Sequence, residues 1–144
     1  MEPVETARPL QILLVEDNPA DVRMTREALA FARIVHDLHV VGDGDQALAF
    51  LLREGAFTSA PIPDLMLLDL SLPGLSGHGV LQALRDRRAK RHFPIVVLTG
   101  SRLQSDVERS FALNADTQIV KPAGLTQYAA ELRFAVGLAH PRYG

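Results

Sequence analysis

The sequence predicts an α/β chain folded as a single domain around a doubly wound, five-stranded parallel sheet, the (βα) unit repeated five times. Three observations carry that prediction. Five short apolar runs, each the length of a buried strand, punctuate the chain: Leu10–Val15, Leu38–Val41, Leu65–Leu68, Ile95–Leu98 and Thr117–Val120. Segments with helical period and recognisable start signals follow them, and such alternation implies right-handed crossovers between parallel strands. The length, 144 residues with 47% hydrophobic and 22% charged side chains, suits one globular domain.

Taken in order, the first run is followed by Asn18 as an N-cap, Pro19 at the first helical position and Asp21 in the first turn, opening a helix to about Ala32. After the second run, Asp43 and Gln46 have the spacing of a capping box ahead of Ala47, Leu48, Leu51 and Leu52. The stretch Gly55–Pro63 reads as a long loop whose two prolines bracket the third strand's entry. Ser76 and Gly77 precede the helical pattern Val80, Leu81 and Leu84. Beyond the fourth run, Ser101 with Gln104 and Ser105 with Glu108 are alternative helix starts. Leu125, Tyr128, Ala129, Leu132, Ala135 and Val136 set the period of a final helix, with Phe134 and Leu138 left over on its outer side. Four of the strand runs are almost continuously apolar, as expected for strands covered on both faces, whereas Thr117 and Gln118 suit an edge strand. Residues 1–9 are expected to be a flexible N-terminal segment, 10–140 the domain and 141–144 a tail.

Composition removes several function classes. The chain has no cysteine, which excludes a thiolate zinc site, an iron–sulfur cluster, a disulfide scaffold and a cysteine nucleophile. A formal net charge of −2 argues against a nucleic-acid-binding surface. No apolar stretch is long enough to span a membrane, and the first residues, with two acids and no apolar core, do not form a signal peptide, so a cytoplasmic location is expected. The five histidines show no metal spacing and read as surface or structural groups. The basic run Arg85, Arg87, Arg88, Lys90 and Arg91 reads as a solvated face that could also meet an acidic partner.

In open α/β sheets the functional crevice lies at the carboxyl ends of the strands. Here the first strand ends in Glu16 and Asp17, the third in Asp69, the fourth in Thr99 and the fifth in Lys121 and Pro122. Three carboxylates at one sheet edge repel one another unless a cation intervenes. Mg2+, which takes oxygen ligands and keeps several waters, fits Asp17 and Asp69 as direct ligands with Glu16 acting through water. Lys121 and Thr99 could then hold phosphoryl oxygens, and the carboxylate of Asp69, central in the group, is the available nucleophile.

With Glu16-Asp17, Asp69 followed by Leu72-Pro73 and Gly77, Thr99 at a strand end, and Lys121-Pro122, the chain resembles the response-regulator receiver domains of two-component signalling over residues 10–140. The segments EDNPADVR, LHVVGDGDQALAFL and REGAFTSAPIPDL are similar to the single-domain regulators associated with phytochromes. The resemblance implies the flavodoxin-like strand order 2-1-3-4-5, with Asp69 as phosphoacceptor. It implies Mg2+ bound by Glu16, Asp17, Asp69 and the backbone carbonyl of Ser71, and a phosphoryl group held by Thr99, Gly100 and Lys121. A cis peptide bond before Pro122, a sensor histidine kinase as partner (of the bacteriophytochrome type), and a homodimer formed through the C-terminal side are implied as well. No nucleic acid or membrane partner is expected.

One departure from the family pattern concerns the switch position. Receivers commonly carry an aromatic residue three positions before the lysine, which moves with Thr99; this chain has Gln118, so coupling must use other side chains. A Mg2+-dependent phosphohydrolase is disfavoured because Ser71 stands where a general acid is needed. A flavin carrier is disfavoured because the two acids after the first strand would repel its phosphate, and an inactive scaffold because all five active-site positions carry competent side chains. The expected function is a phosphoacceptor module, not a general enzyme, acting through partner binding or phosphorelay and without a DNA-binding output domain of its own.

Overall fold

The computed structural model describes residues 8–70, 77–86, 93–100, 116–120 and 124–139, with the backbone alone at 77, 78 and 84–86. Along the chain run β1 (Leu10–Val15), α1 (Pro19–Phe31), β2 (His36–Val41), α2 (Gly44–Leu52), a 3-10 turn (Gly55–Phe57), β3 (Leu65–Asp69), α3 (Gly77–Asp86), β4 (Ile95–Thr99), β5 (Thr117–Val120) and α4 (Leu125–Ala139). All strand pairs are parallel and the order is β2-β1-β3-β4-β5, as expected. The helix predicted after the fourth strand, and the start signals at Ser101 and Ser105, fall outside the described residues.

The helix signals act as read. The Asn18 side chain accepts from the backbone N–H groups of Ala20 and Asp21, and Pro19 opens α1 without wasting a donor. Asp43 accepts from the Gln46 N–H at 2.7 Å, but the Gln46 side chain reaches back to the N–H of Gly42, one residue before the cap, instead of that of Asp43. Gly55–Pro63, expected to be all loop, contains the 3-10 turn, whose Phe57 ring lies 5.5 Å from that of Phe50.

The sheet separates two cores. On one face α1 and α4 pack together over Ile12, Leu14, Leu65, Leu67, Val96, Leu98 and Ile119. On the other, α2 and α3 cover Leu13, Val15, Met66, Leu68, Ile95 and Val97. β3 and β4 are buried at every residue, which is why they read as unbroken apolar runs. β2 departs from that reading: it begins at His36, two residues earlier than predicted, and it is the second edge strand. With β1 on one side only, Asp37 and Val40 are exposed and just Val41 is fully buried. Two aspartates, Asp64 and Asp116, fix strand entry by the same device. Each gives its N–H to the carbonyl of the neighbouring strand's first turn of ladder and takes the N–H of that same residue, Gln11 or Ile95, on its side chain at 2.8 Å.

Leu14 sits fully buried in β1, two residues before Glu16. Leu14→Ala is expected to cost about 2–5 kcal/mol, the range for deleting a buried leucine side chain, measured as a lower urea midpoint at unchanged slope.

Candidate functional site

Register builds the site. Val15 of β1 is level with Leu68 of β3, so the next residues, Glu16 and Asp69, emerge side by side at the carboxyl edge of the sheet. Asp69 is in turn level with Leu98, which sets Thr99 one residue further along the neighbouring strand. Thr99 is level with Val120, after which the chain enters Lys121. The ladder continues past the strand ends, with the Glu16 N–H on the Val41 carbonyl at 2.9 Å and the Leu70 N–H on the Leu98 carbonyl at 3.1 Å. Both acids are therefore carried on backbone that is hydrogen-bonded on its own account.

The three predicted carboxylates converge: one oxygen from each of Glu16, Asp17 and Asp69 lies within 4.8 Å of the others. Glu16 and Asp69 are 3% and 2% exposed, while Asp17 reaches solvent, so the group has a dry floor and an open mouth. The Asn18 N–H donates to Glu16 Oε2 at 3.3 Å and orients that carboxylate from the start of α1. Thr99 is buried at the end of β4. Next to it Gly100 is exposed, and a Cβ there would meet none of the described residues within 4 Å. An all-oxygen donor set with surplus negative charge, part buried and part open, suits a hard divalent cation that keeps some of its water. The donors present thus fit such an ion.

Ser71, Lys121 and Pro122, and with them the predicted cis bond, lie outside the described residues, as does most of the basic run from Arg85 to Arg91. Gln118, in β5, is partly buried and lines a groove of about 390 Å3 with Gln127, Glu131 and Phe134 of α4, away from the three acids. Sequence reasoning passed over Thr25. Its hydroxyl lies 2.8 Å from that of Tyr128, buried between α1 and α4; a threonine within a helix and a tyrosine on an apolar stripe give no signal of pairing across 103 residues.

A parallel sheet of this order, with acids gathered at the ends of β1 and β3, defines a signalling receiver of the doubly wound class. The chain belongs to the response regulator receiver domain family, whose model matches residues 12–133. It is 39% identical over 121 residues to response regulator Rcp1 of Synechocystis, covering 84% of this chain and 82% of that protein. Among solved structures it is similar to the phosphorylated cyanobacterial phytochrome response regulator RcpA, with a TM-score of 0.81, 37% identity, and coverage of 90% of this chain and 93% of that one. The Mn(2+)-bound form of Rcp1 superposes with a TM-score of 0.78 at 36% identity, over 90% of this chain and 93% of that one.

Because the carboxylates repel one another, Asp17→Asn is expected to stabilise the cation-free protein by about 1 kcal/mol. Saturating Mg2+ should raise the melting temperature of the unaltered protein and do so less in the variant, which thermal unfolding followed by circular dichroism checks.

Proposed function

We propose that this receiver accepts a phosphoryl group on Asp69 from a sensor histidine kinase, with Mg2+ held by Glu16, Asp17, Asp69 and the Ser71 carbonyl. The convergence of three carboxylates within 4.8 Å at the strand ends is the observation that supports this most strongly. Mg2+ there would offset the negative charge of the cluster and of the incoming phosphoryl oxygens. An Asp69 oxygen would attack phosphorus as the bond from phosphorus to the kinase imidazole nitrogen breaks; that nitrogen keeps the electron pair and takes up a proton. Thr99, the Gly100 backbone and Lys121 are the groups assigned to the three phosphoryl oxygens, where fixed donors and a positive charge offset the charge that builds up in transfer. Water later releases phosphate and restores the carboxylate. This is single-turnover chemistry on the protein itself, with cytoplasmic residence as the setting that a kinase partner requires.

Similarity to Rcp1 and RcpA supports a phytochrome-type kinase as the donor. Phe134 and Leu138, 66% and 48% exposed on the outer side of α4, support a homodimer formed through that helix. Partner binding or onward relay of the phosphoryl group would carry the signal.

Intact-mass measurement after incubation with acetyl phosphate and Mg2+ tests the phosphoacceptor reading. One phosphoryl adduct, absent from Asp69→Asn and from a metal-free control, is the expected result; steady phosphate release without an adduct would favour a hydrolase instead. For the dimer, light scattering at micromolar concentration should give twice the chain mass, falling to one chain mass in Phe134→Ser.

A further inference from the structure

α1 and α4 lie on the same face of the sheet and are tied at two points. At its middle, α4 sends the Arg133 side chain to the Ala32 carbonyl at 2.6 Å, where α1 leaves backbone acceptors unsatisfied. One turn into α4, the Tyr128 hydroxyl lies 2.8 Å from Thr25 Oγ1 in a buried contact. The Thr25 hydroxyl has a single proton, and it is given to the Asp21 carbonyl at 3.0 Å. With that proton on the carbonyl, Tyr128 donates in the contact between the two hydroxyls, in which either oxygen can be the donor.

Two further bonds, joined through the covalent backbone of Asp21 and Asn18, lead from there to the acidic site. The Asp21 N–H donates to Asn18 Oδ1 at 3.4 Å, and the Asn18 N–H donates to Glu16 Oε2 at 3.3 Å. Tyr128 and Thr25 are thus linked to Glu16 through the first turn of α1, by hydrogen bonds at Asp21 and Asn18 and the rigid backbone between them. Glu16 and Tyr128 also line one cavity of about 50 Å3, closed on its apolar side by Leu98 and Ile119. A space of that size between Glu16 and Tyr128 lets the phenol shift without displacing packed neighbours. A shift of the first turn of α1 therefore moves the groups that orient Glu16 and the groups that bond Thr25 together.

We propose that Tyr128 is a positioning residue for the acidic site, setting the placement of Glu16 through Thr25 and the first turn of α1, and thereby tying the occupancy of the site to α4. The proposal rests on the reading that Glu16 helps hold Mg2+. It supplies a route from site to surface in a chain that has Gln118 where other receivers use an aromatic residue, and α4 also carries the exposed Phe134.

The chain has no tryptophan and two tyrosines, Tyr128 and Tyr143, so Tyr143→Phe leaves Tyr128 as the sole emitter. In that protein, Mg2+ titration should change tyrosine emission saturably, along the same isotherm that calorimetry gives for Mg2+ binding. Thr25→Val, which keeps the shape and removes the hydroxyl, should abolish the emission response, and Thr25→Ser should retain it. Tyr128→Phe should weaken Mg2+ about threefold to tenfold, the size of one buried hydrogen bond lost. Mg2+ binding by calorimetry with unchanged Tyr128 emission, or with full affinity in both Thr25→Val and Tyr128→Phe, would overturn the relay while leaving the cation site intact. Absence of Mg2+ binding altogether would overturn the cation reading, and the relay with it.

Discussion

Mutual repulsion among three carboxylates held within 4.8 Å is the constraint around which the rest of the molecule is arranged. Two of them, Glu16 and Asp69, are buried, so solvent screens them poorly, and the protein must hold them there against an electrostatic cost. Strand backbone contributes to this. Neither acid hangs from a loose loop: the ladder extends to the N–H of Glu16 beyond β1 and to the N–H of Leu70 beyond β3. The hydrophobic faces supply the stability that the charged edge consumes. A site under such tension responds to anything that relieves it, whether a divalent cation or a change in the charge of one acid.

The same arrangement explains why the face formed by α1 and α4 matters beyond packing. Glu16 is oriented by the residue that caps α1, and α1 is fastened to α4 at Tyr128 and at Arg133. The helix nearest the acids is therefore not free to adjust alone. On the opposite face, α2 and α3 are packed against the sheet by apolar contacts around Val41, Phe50 and Leu81.

Much of this architecture was legible in the residues because burial and capping are local in sequence. Asn18-Pro19 and Asp43 with Gln46 announce helix starts, and β3 and β4 read as strands because both faces are covered. The identities of the acids at the site were legible for a related reason: in a parallel sheet every strand end arrives at the same edge, so Glu16, Asp17, Asp69 and Thr99 could be gathered by order alone. The exposure of β2 was not legible in its own residues, since LHVV looks the same whether one neighbour or two lies beside it; only the strand order 2-1-3-4-5 implied by the resemblance put it at the edge. Nor were the paired functions of Asp64 and Asp116, or of Thr25 and Tyr128, which exist only once register and helix packing bring together residues distant in the chain.

The central claim is that the charge-crowded edge of the sheet exists to make Asp69 a phosphoacceptor. The most direct test is chemical: borohydride reduction of the protein after brief exposure to acetyl phosphate and Mg2+, followed by peptide mass spectrometry. An acyl phosphate is reduced to the alcohol, so the account predicts homoserine at position 69 and unaltered Glu16 and Asp17. Reduction at either of those acids, or at a residue away from the cluster, would contradict it.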